Sequence, residues 1–212
     1  MSVGRGYGPV LVVGAQAAAR ELSALRGARI AVPGLSTTAY LTLRLLLPEF
    51  EPVVVPITPY RRTFDALRSG EVDAALLIHE GRLTYPSEGF ESVCDLGQAW
   101  EAITNGLPLP LGGNAIRRAL GADLVAQVSG ACRASIRWAL EHREETVSAL
   151  LAAEHRGDLA LDRGMLDRYL TMYANSDTLD APADVRQAVA ELYARAFRAG
   201  LFPTAPRIEF AP

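Results

Sequence analysis

The sequence contains no lysine, and all 21 of its basic residues are arginines. A lysine Schiff base and the lysine of a phosphate-binding P-loop are therefore excluded. Cysteine is almost as scarce, with Cys94 in an apolar run and Cys132 in a predicted helix. Small domains that depend on disulfides are much richer in cysteine, so we expect two buried free thiols and a reducing compartment.

Long apolar runs and an excess of basic charge are also missing. No stretch of ~18 apolar residues occurs, so we expect no membrane span. The net charge is −3 and the arginines form no cluster, which argues against nucleic acid or an anionic membrane as partner. The apolar run at 10–13 before Ala15-Gln16-Ala17 resembles part of a signal peptide, but it is short and broken by Pro9 and Gly14. We therefore expect a cytoplasmic protein.

Strand and helix patterns alternate over the first half of the chain. The pattern predicts strands at 9–13, 28–33, 53–57, 72–78 and 90–96, and helices at 15–25, 38–47 and 63–68. Short strands separated by helices of about ten residues are typical of βαβ units, so we expect an α/β fold with a parallel or mixed sheet.

The second half differs in composition. Residues 104–113 are rich in proline and glycine, which predicts an irregular connection between two lobes. A last strand is predicted at 114–118, and helices from 122 onward, where apolar side chains recur at helical spacing and are expected in the core: Trp138, Leu140, Val147, Leu150 and Leu151. We expect 28–113 to form a complete α/β lobe, and 1–27 with 114–212 to form the remainder of a second, mostly helical lobe.

His79 is the first candidate for chemistry, because it directly follows the predicted strand at 72–78. Ligands of open α/β sheets bind beyond the carboxyl ends of the strands, and histidine is the usual general base near neutral pH. A histidine that only closes a loop is the alternative, and it stays open. A zinc motif is excluded here because no second histidine lies four residues further on.

The second candidate is the segment Gly34-Leu35-Ser36-Thr37-Thr38-Ala39, which follows a strand and begins a helix. Ser36 or Thr37 can cap this helix, and its first N–H groups are suited to a carboxylate or phosphate. An ordinary capped helix is the alternative. Arg82, in the loop of His79, can either pair with a carboxylate or hold the loop through backbone carbonyls.

Other residues have simpler interpretations. The run Gly4-Arg5-Gly6-Tyr7-Gly8 precedes its strand, whereas a dinucleotide-binding loop would follow one. His142 and His155 are expected at the surface, and Asn175 in a turn at the end of a helix.

Six segments form a more specific pattern when they are taken together in chain order. They are Gly4-Arg5-Gly6-Tyr7-Gly8-Pro9, residues 30–40, residues 77–85, Asp95-Leu96-Gly97, residues 106–112 and Tyr173-Ala174-Asn175-Ser176. This set resembles the 1,4-dihydroxy-6-naphthoate synthases, which are lyases of the futalosine route to menaquinone. The resemblance extends over essentially the whole chain.

The resemblance implies a bilobal fold like that of periplasmic solute-binding proteins. It implies cleavage of cyclic dehypoxanthinyl futalosine, a small-molecule carboxylate, to 1,4-dihydroxy-6-naphthoate and a three-carbon sugar fragment, without metal or organic cofactor. His79 corresponds to the family's catalytic base, and Thr38 and Ala39 to its substrate contacts. Whether His79 acts only as a base or also as a transient nucleophile stays open, and so does the choice between monomer and homodimer.

The chain departs from the family at its start. Family members carry a leading segment before the Gly-Arg-Gly-x-Gly-Pro motif, whereas Gly4 here follows Met1 closely. We therefore expect one lobe to be truncated, and the chain to be inactive or weakly active. The alternative functions are a solute-binding or degenerate non-catalytic relative, and a chorismate dehydratase.

Overall fold

The computed structural model describes residues 1–153 and 162–212, and these form two compact units. One unit is Gly4–Leu109, and it is built on a five-stranded sheet. The other contains Met1–Val3, residues 110–153 and Arg163–Pro212, and it is mostly helical. The predicted boundaries were 28 and 113, so the structure assigns more of the chain to the α/β unit than the sequence analysis did.

The α/β unit alternates strands and helices. In chain order its strands and helices are β2 (Val10–Gly14), β3 (Arg29–Val32), α1 (Thr38–Leu46), β4 (Glu51–Val54), α2 (Arg61–Arg68), β5 (Ala74–Leu77), α3 (Gly81–Thr84), β6 (Phe90–Asp95) and α4 (Leu96–Thr104). The strand order is β4-β3-β5-β2-β6. A separate two-stranded sheet joins β1 (Ser2–Gly4) to β7 (Leu109–Gly112).

The sheet is mixed, as expected. Strand β3 is parallel to both β4 and β5, whereas β2 is antiparallel to both β5 and β6. Because β2 pairs on both sides, the strand predicted at 9–13 lies inside this sheet and not in the second lobe to which residues 1–27 were assigned. This pairing explains why the boundary of the unit differs from the prediction.

The three central strands, β3, β5 and β2, are apolar and largely buried on both faces, as expected for the middle of a sheet covered by helices. One cluster contains Val12, Ala75 and Leu77 of the sheet with Phe64 and Leu67 of α2. Phe64 is fully buried, and its ring lies 5.6 Å from that of Tyr60 and 5.4 Å from that of Phe90. Aromatic packing around Phe64 therefore fixes α2 against the sheet.

The second unit consists largely of helices: α5 (Ala122–Glu141), α6 (Arg143–Ala153), α7 (Arg163–Tyr173), α8 (Ser176–Leu179) and α9 (Ala183–Arg198). Helix α9 buries Val185, Val189 and Leu192, as its apolar spacing predicts. Trp138 and Leu150 were predicted in the core, but they are 50% and 41% exposed. These two predictions were wrong. Helical spacing shows which side chains share one face of a helix, but it does not show whether another part of the protein packs against that face.

Several local predictions were also wrong. Residues 15–25 contain only a short 3-10 helix, Leu22–Leu25, because few of their side chains find a surface to pack on. Residues 114–118 are exposed and form no strand, while α4 was missed. The two thiols are free, but Cys94 is half-buried and Cys132 is exposed, where two buried thiols were expected. His155 lies outside the described residues.

Across the described parts of the chain, no helix is both long and apolar enough to cross a membrane.

The packing around Phe64 gives a test of the fold. Replacing Phe64 by Ala should lower the free energy of unfolding by about 3–5 kcal/mol, because the cavity opens between α2 and the sheet. Val54→Ala, at a half-exposed position of edge strand β4, should change it by less than about 0.5 kcal/mol. Urea denaturation measures both values, and equal losses would contradict this description of the core.

Candidate functional site

Most of the candidate residues lie at one edge of the five-stranded sheet, the one formed by the carboxyl ends of its strands β3, β5 and β6. Strands β3 and β5 are parallel neighbours, so the segments that follow them, one with Thr38 and one with His79, begin at the same edge. Val10 at the start of β2 pairs with Leu77 on one side and Asp95 on the other. The entry to β2 and the exits of β3, β5 and β6 therefore share this edge. Ligands of open α/β folds bind at such an edge.

The first segment at this edge is the beginning of helix α1. Thr37 caps the helix, since its hydroxyl accepts a hydrogen bond from Tyr40 N–H (3.2 Å) and donates one to the Gly34 carbonyl (2.8 Å). Within the described residues, the N–H groups of Thr38 and Ala39 have no hydrogen-bond partner. Two unpaired donors at the positive end of a nine-residue helix are suited to a carboxylate group.

The second segment carries His79. It is half-buried and lies between the end of β5 and the short helix α3. Its φ is +49°, a left-handed conformation that is uncommon outside glycine and that concentrates at functional sites. The carbonyl of His79 accepts a hydrogen bond from Arg82 N–H (3.3 Å), so the histidine forms part of the turn that opens α3.

Arg82 is engaged with the protein itself. Its guanidinium forms an ion pair of 2.5 Å with Asp95, and both side chains are largely buried. The same guanidinium lies 5.6 Å from the centre of the Tyr7 ring, which adds a cation–π contact. Arg82 was expected to pair with a carboxylate or to hold the loop through backbone carbonyls. It pairs with a carboxylate, but that carboxylate belongs to Asp95, so the pair joins the loop to the end of β6.

Asp95 connects this loop to helix α4. Its carboxylate accepts hydrogen bonds from the N–H groups of Gly97 (2.8 Å) and Gln98 (3.3 Å), and so caps the helix. Burial raises the pKa of the Asp95 carboxyl, while the Arg82 guanidinium and these N–H donors oppose the rise. One buried carboxylate therefore fixes both the start of α4 and the turn after His79.

The entry to β2 packs against the start of α4 through glycine. A side-chain carbon on Gly8 would come within 2.6 Å of the Gly97 nitrogen, and one on Gly97 would overlap the carbonyl of Tyr7. Only glycine permits this approach of two backbones. The Gly-Arg-Gly-Tyr-Gly run is thus a packing element next to Asp95, consistent with its not being a dinucleotide loop.

Two further candidates belong to the helical unit. His142 is in the helical unit, where its ring stacks on Trp138 at 4.5 Å. Asn175 caps α8 in a reciprocal arrangement with Thr178. Asp95 and Tyr7 were not predicted as site residues, although both belong to the motifs quoted above. A carboxylate two residues before a glycine at a predicted strand end is the signal that could have identified Asp95 as a helix cap.

Comparison with known proteins gives a consistent result. The model of a family described as menaquinone biosynthesis matches residues 1–198. A relative from Thermus thermophilus, called 1,4-dihydroxy-6-naphthoate synthase, is 41% identical over 97% of this chain and 71% of its own length. A crystal structure from Archaeoglobus fulgidus is 42% identical, with a TM-score of 0.83 over 95% of this chain and 71% of that one.

A more distant structure relates the fold to solute-binding proteins. The periplasmic aliphatic sulphonate binding protein of Escherichia coli has a TM-score of 0.60 at 14% identity, and the match covers 95% of this chain and 63% of that one. The fold is therefore of the periplasmic-binding-protein type, as expected from the sequence.

The glycine contact at this edge gives a second test. Gly97→Ala should lower the free energy of unfolding by about 1–3 kcal/mol, since the added methyl group must push the Tyr7 backbone away. Gly14→Ala is the matched control, because its added carbon would meet no atom within 4 Å. Thermal unfolding followed by circular dichroism compares the two, and an unchanged midpoint for Gly97→Ala would contradict the close packing.

Proposed function

Because this chain belongs to the menaquinone biosynthesis family, we propose that it is a carbon–carbon lyase that cleaves cyclic dehypoxanthinyl futalosine to 1,4-dihydroxy-6-naphthoate. The family and its named relatives identify an enzyme of menaquinone biosynthesis, and the choice of substrate and reaction is our proposal. The observation that carries it is the shared edge of β3 and β5, which brings a helix N-terminus and a histidine to one end of the sheet.

The N-terminus of α1 is assigned to the substrate carboxylate. The unpaired N–H groups of Thr38 and Ala39 can both donate to a carboxylate oxygen, and the Thr38 hydroxyl and the exposed Ser36 add further donors. Thr37 is occupied as the helix cap, so its contribution is to keep this end of the helix in place. Arg82 is paired with Asp95, and we assign it no contact with the substrate.

His79 is assigned as the general base. A neutral imidazole accepts the proton of a substrate hydroxyl group, and the electron pair left on oxygen forms a carbonyl as the adjacent carbon–carbon bond breaks. The electron pair of the broken bond passes to the fragment that becomes the naphthoate. The naphthoate product gains aromatic character, which favours the forward direction. We assign the proton transfer to His79 alone, and the proposal gives no role to a metal ion.

Activity and its dependence on His79 test the proposal. The 212-residue chain, in excess over cyclic dehypoxanthinyl futalosine so that slow turnover is detected, should release 1,4-dihydroxy-6-naphthoate. His79→Ala should lower the rate by ~10²–10⁴ while substrate affinity is largely kept, because the base is lost and the α1 contacts remain. His142→Ala is the control and should retain the rate, since the His142 ring stacks on Trp138 and bonds to its carbonyl within the same helical segment. Mass spectrometry of the products measures the rate, and calorimetry measures the affinity.

The alternatives predict different results in the same assay. A solute-binding relative would bind the substrate without any product, and it would bind equally well after the His79 change. A chorismate dehydratase would convert chorismate instead. Either result would overturn the lyase proposal, as would full turnover by His79→Ala.

A further inference from the structure

Tyr60 holds the backbone next to His79. Its hydroxyl donates a hydrogen bond to the carbonyl of Ile78 (2.7 Å) and accepts one from the N–H of the same residue (3.1 Å). Ile78 lies just after the last residue of β5 and directly before His79. Both backbone groups of Ile78 are thus bonded to one side chain, which is itself only 3% exposed.

The Tyr60 ring also contacts the chain after the histidine, at Gly81. A side-chain carbon on Gly81 would overlap this ring, so Gly81 provides the space that the ring occupies. Two of the residues that Tyr60 contacts, Ile78 and Gly81, therefore flank His79 and Glu80. Any movement of the His79 turn must displace either the Tyr60 hydroxyl or its ring.

The Tyr60 ring is in turn fixed by the core. It packs on Phe64 of α2, which packs on Phe90 of β6, and both phenylalanines are buried. A rigid anchor is relevant here because His79 has a positive φ, and such a conformation persists only where its surroundings impose it.

We propose that Tyr60 is a positioning residue for His79, acting through its two hydrogen bonds to Ile78 and its contact with Gly81. This inference rests on the assignment of His79 as the catalytic base. Tyr60 transmits the rigidity of the aromatic core to the turn, and so keeps the imidazole where a base must be. Its contribution is to the rate and not to substrate affinity.

Tyr60→Phe tests this role, because it removes both hydrogen bonds but keeps the ring in the core. We expect kcat to fall by about 10- to 100-fold, since misplacement of a catalytic group by about 1 Å has effects of this size, and KM to stay within about twofold. In a His79→Ala background, Tyr60→Phe should cause no further loss. Independent losses that multiply in the double variant would show a merely structural role and overturn the inference.

Thr63→Val is the matched control. Thr63 lies on α2, close in the chain to Tyr60, and is likewise buried. Its hydroxyl has no hydrogen-bond partner within the described residues, so removing the hydroxyl should leave kcat unchanged. A fall in kcat as large as that of Tyr60→Phe would indicate a general effect of changes in α2 and would contradict a specific role of Tyr60.

A spectroscopic measurement separates this inference from the proposed reaction. In imidazole NMR spectra, with His79 identified from His79→Gln, Tyr60→Phe should shift or broaden the His79 signals and leave those of His142 unchanged. An unchanged His79 signal would overturn the positioning role even if the lyase activity is found. Absence of lyase activity together with a changed signal would instead reject the proposed function and keep the contact between Tyr60 and the His79 turn.

Discussion

The parallel pairing of β3 with β5 is the constraint on which the candidate site depends. It fixes the direction of both strands, so that the start of α1 and the His79 turn arise at the same edge of the sheet. The antiparallel strand β2 then brings its entry, and β6 its carboxyl end, to that edge as well. Residues that are far apart in the sequence become neighbours through strand direction alone.

Buried polar groups hold the segments at this edge in place. The Tyr60 hydroxyl bonds to Ile78 before the histidine, and Asp95 bonds to Arg82 after it. Each of these groups would be costly to bury without a partner, so each strongly favours one arrangement of the backbone. The His79 turn is therefore anchored on both sides, by Tyr60 before the histidine and by the Arg82–Asp95 pair after it.

The sequence was sufficient for what local patterns determine. Apolar runs located the five strands of the sheet, the Ser-Thr-Thr segment located the beginning of α1, and the strand end before His79 made it a candidate. It was not sufficient where tertiary contacts decide. The alanine-rich stretch at 15–25 has helix propensity but little surface to pack on, and Tyr60 reaches Ile78 only in the folded sheet. Arg82 was expected to pair with a carboxylate or with backbone carbonyls, and the folded structure supplies the carboxylate of Asp95.

The central claim is that one edge of the sheet binds the aromatic carboxylate, and its most direct test is an NMR titration. The ¹⁵N-labelled chain would be titrated with 1,4-dihydroxy-6-naphthoate, and benzoate would serve as a control for unspecific carboxylate binding. Binding at this edge should cause saturable shifts of the amide signals of residues 35–39 and 78–82 and leave those of α9 unchanged. Saturable shifts confined to other parts of the chain, or shifts that benzoate reproduces equally well, would contradict it.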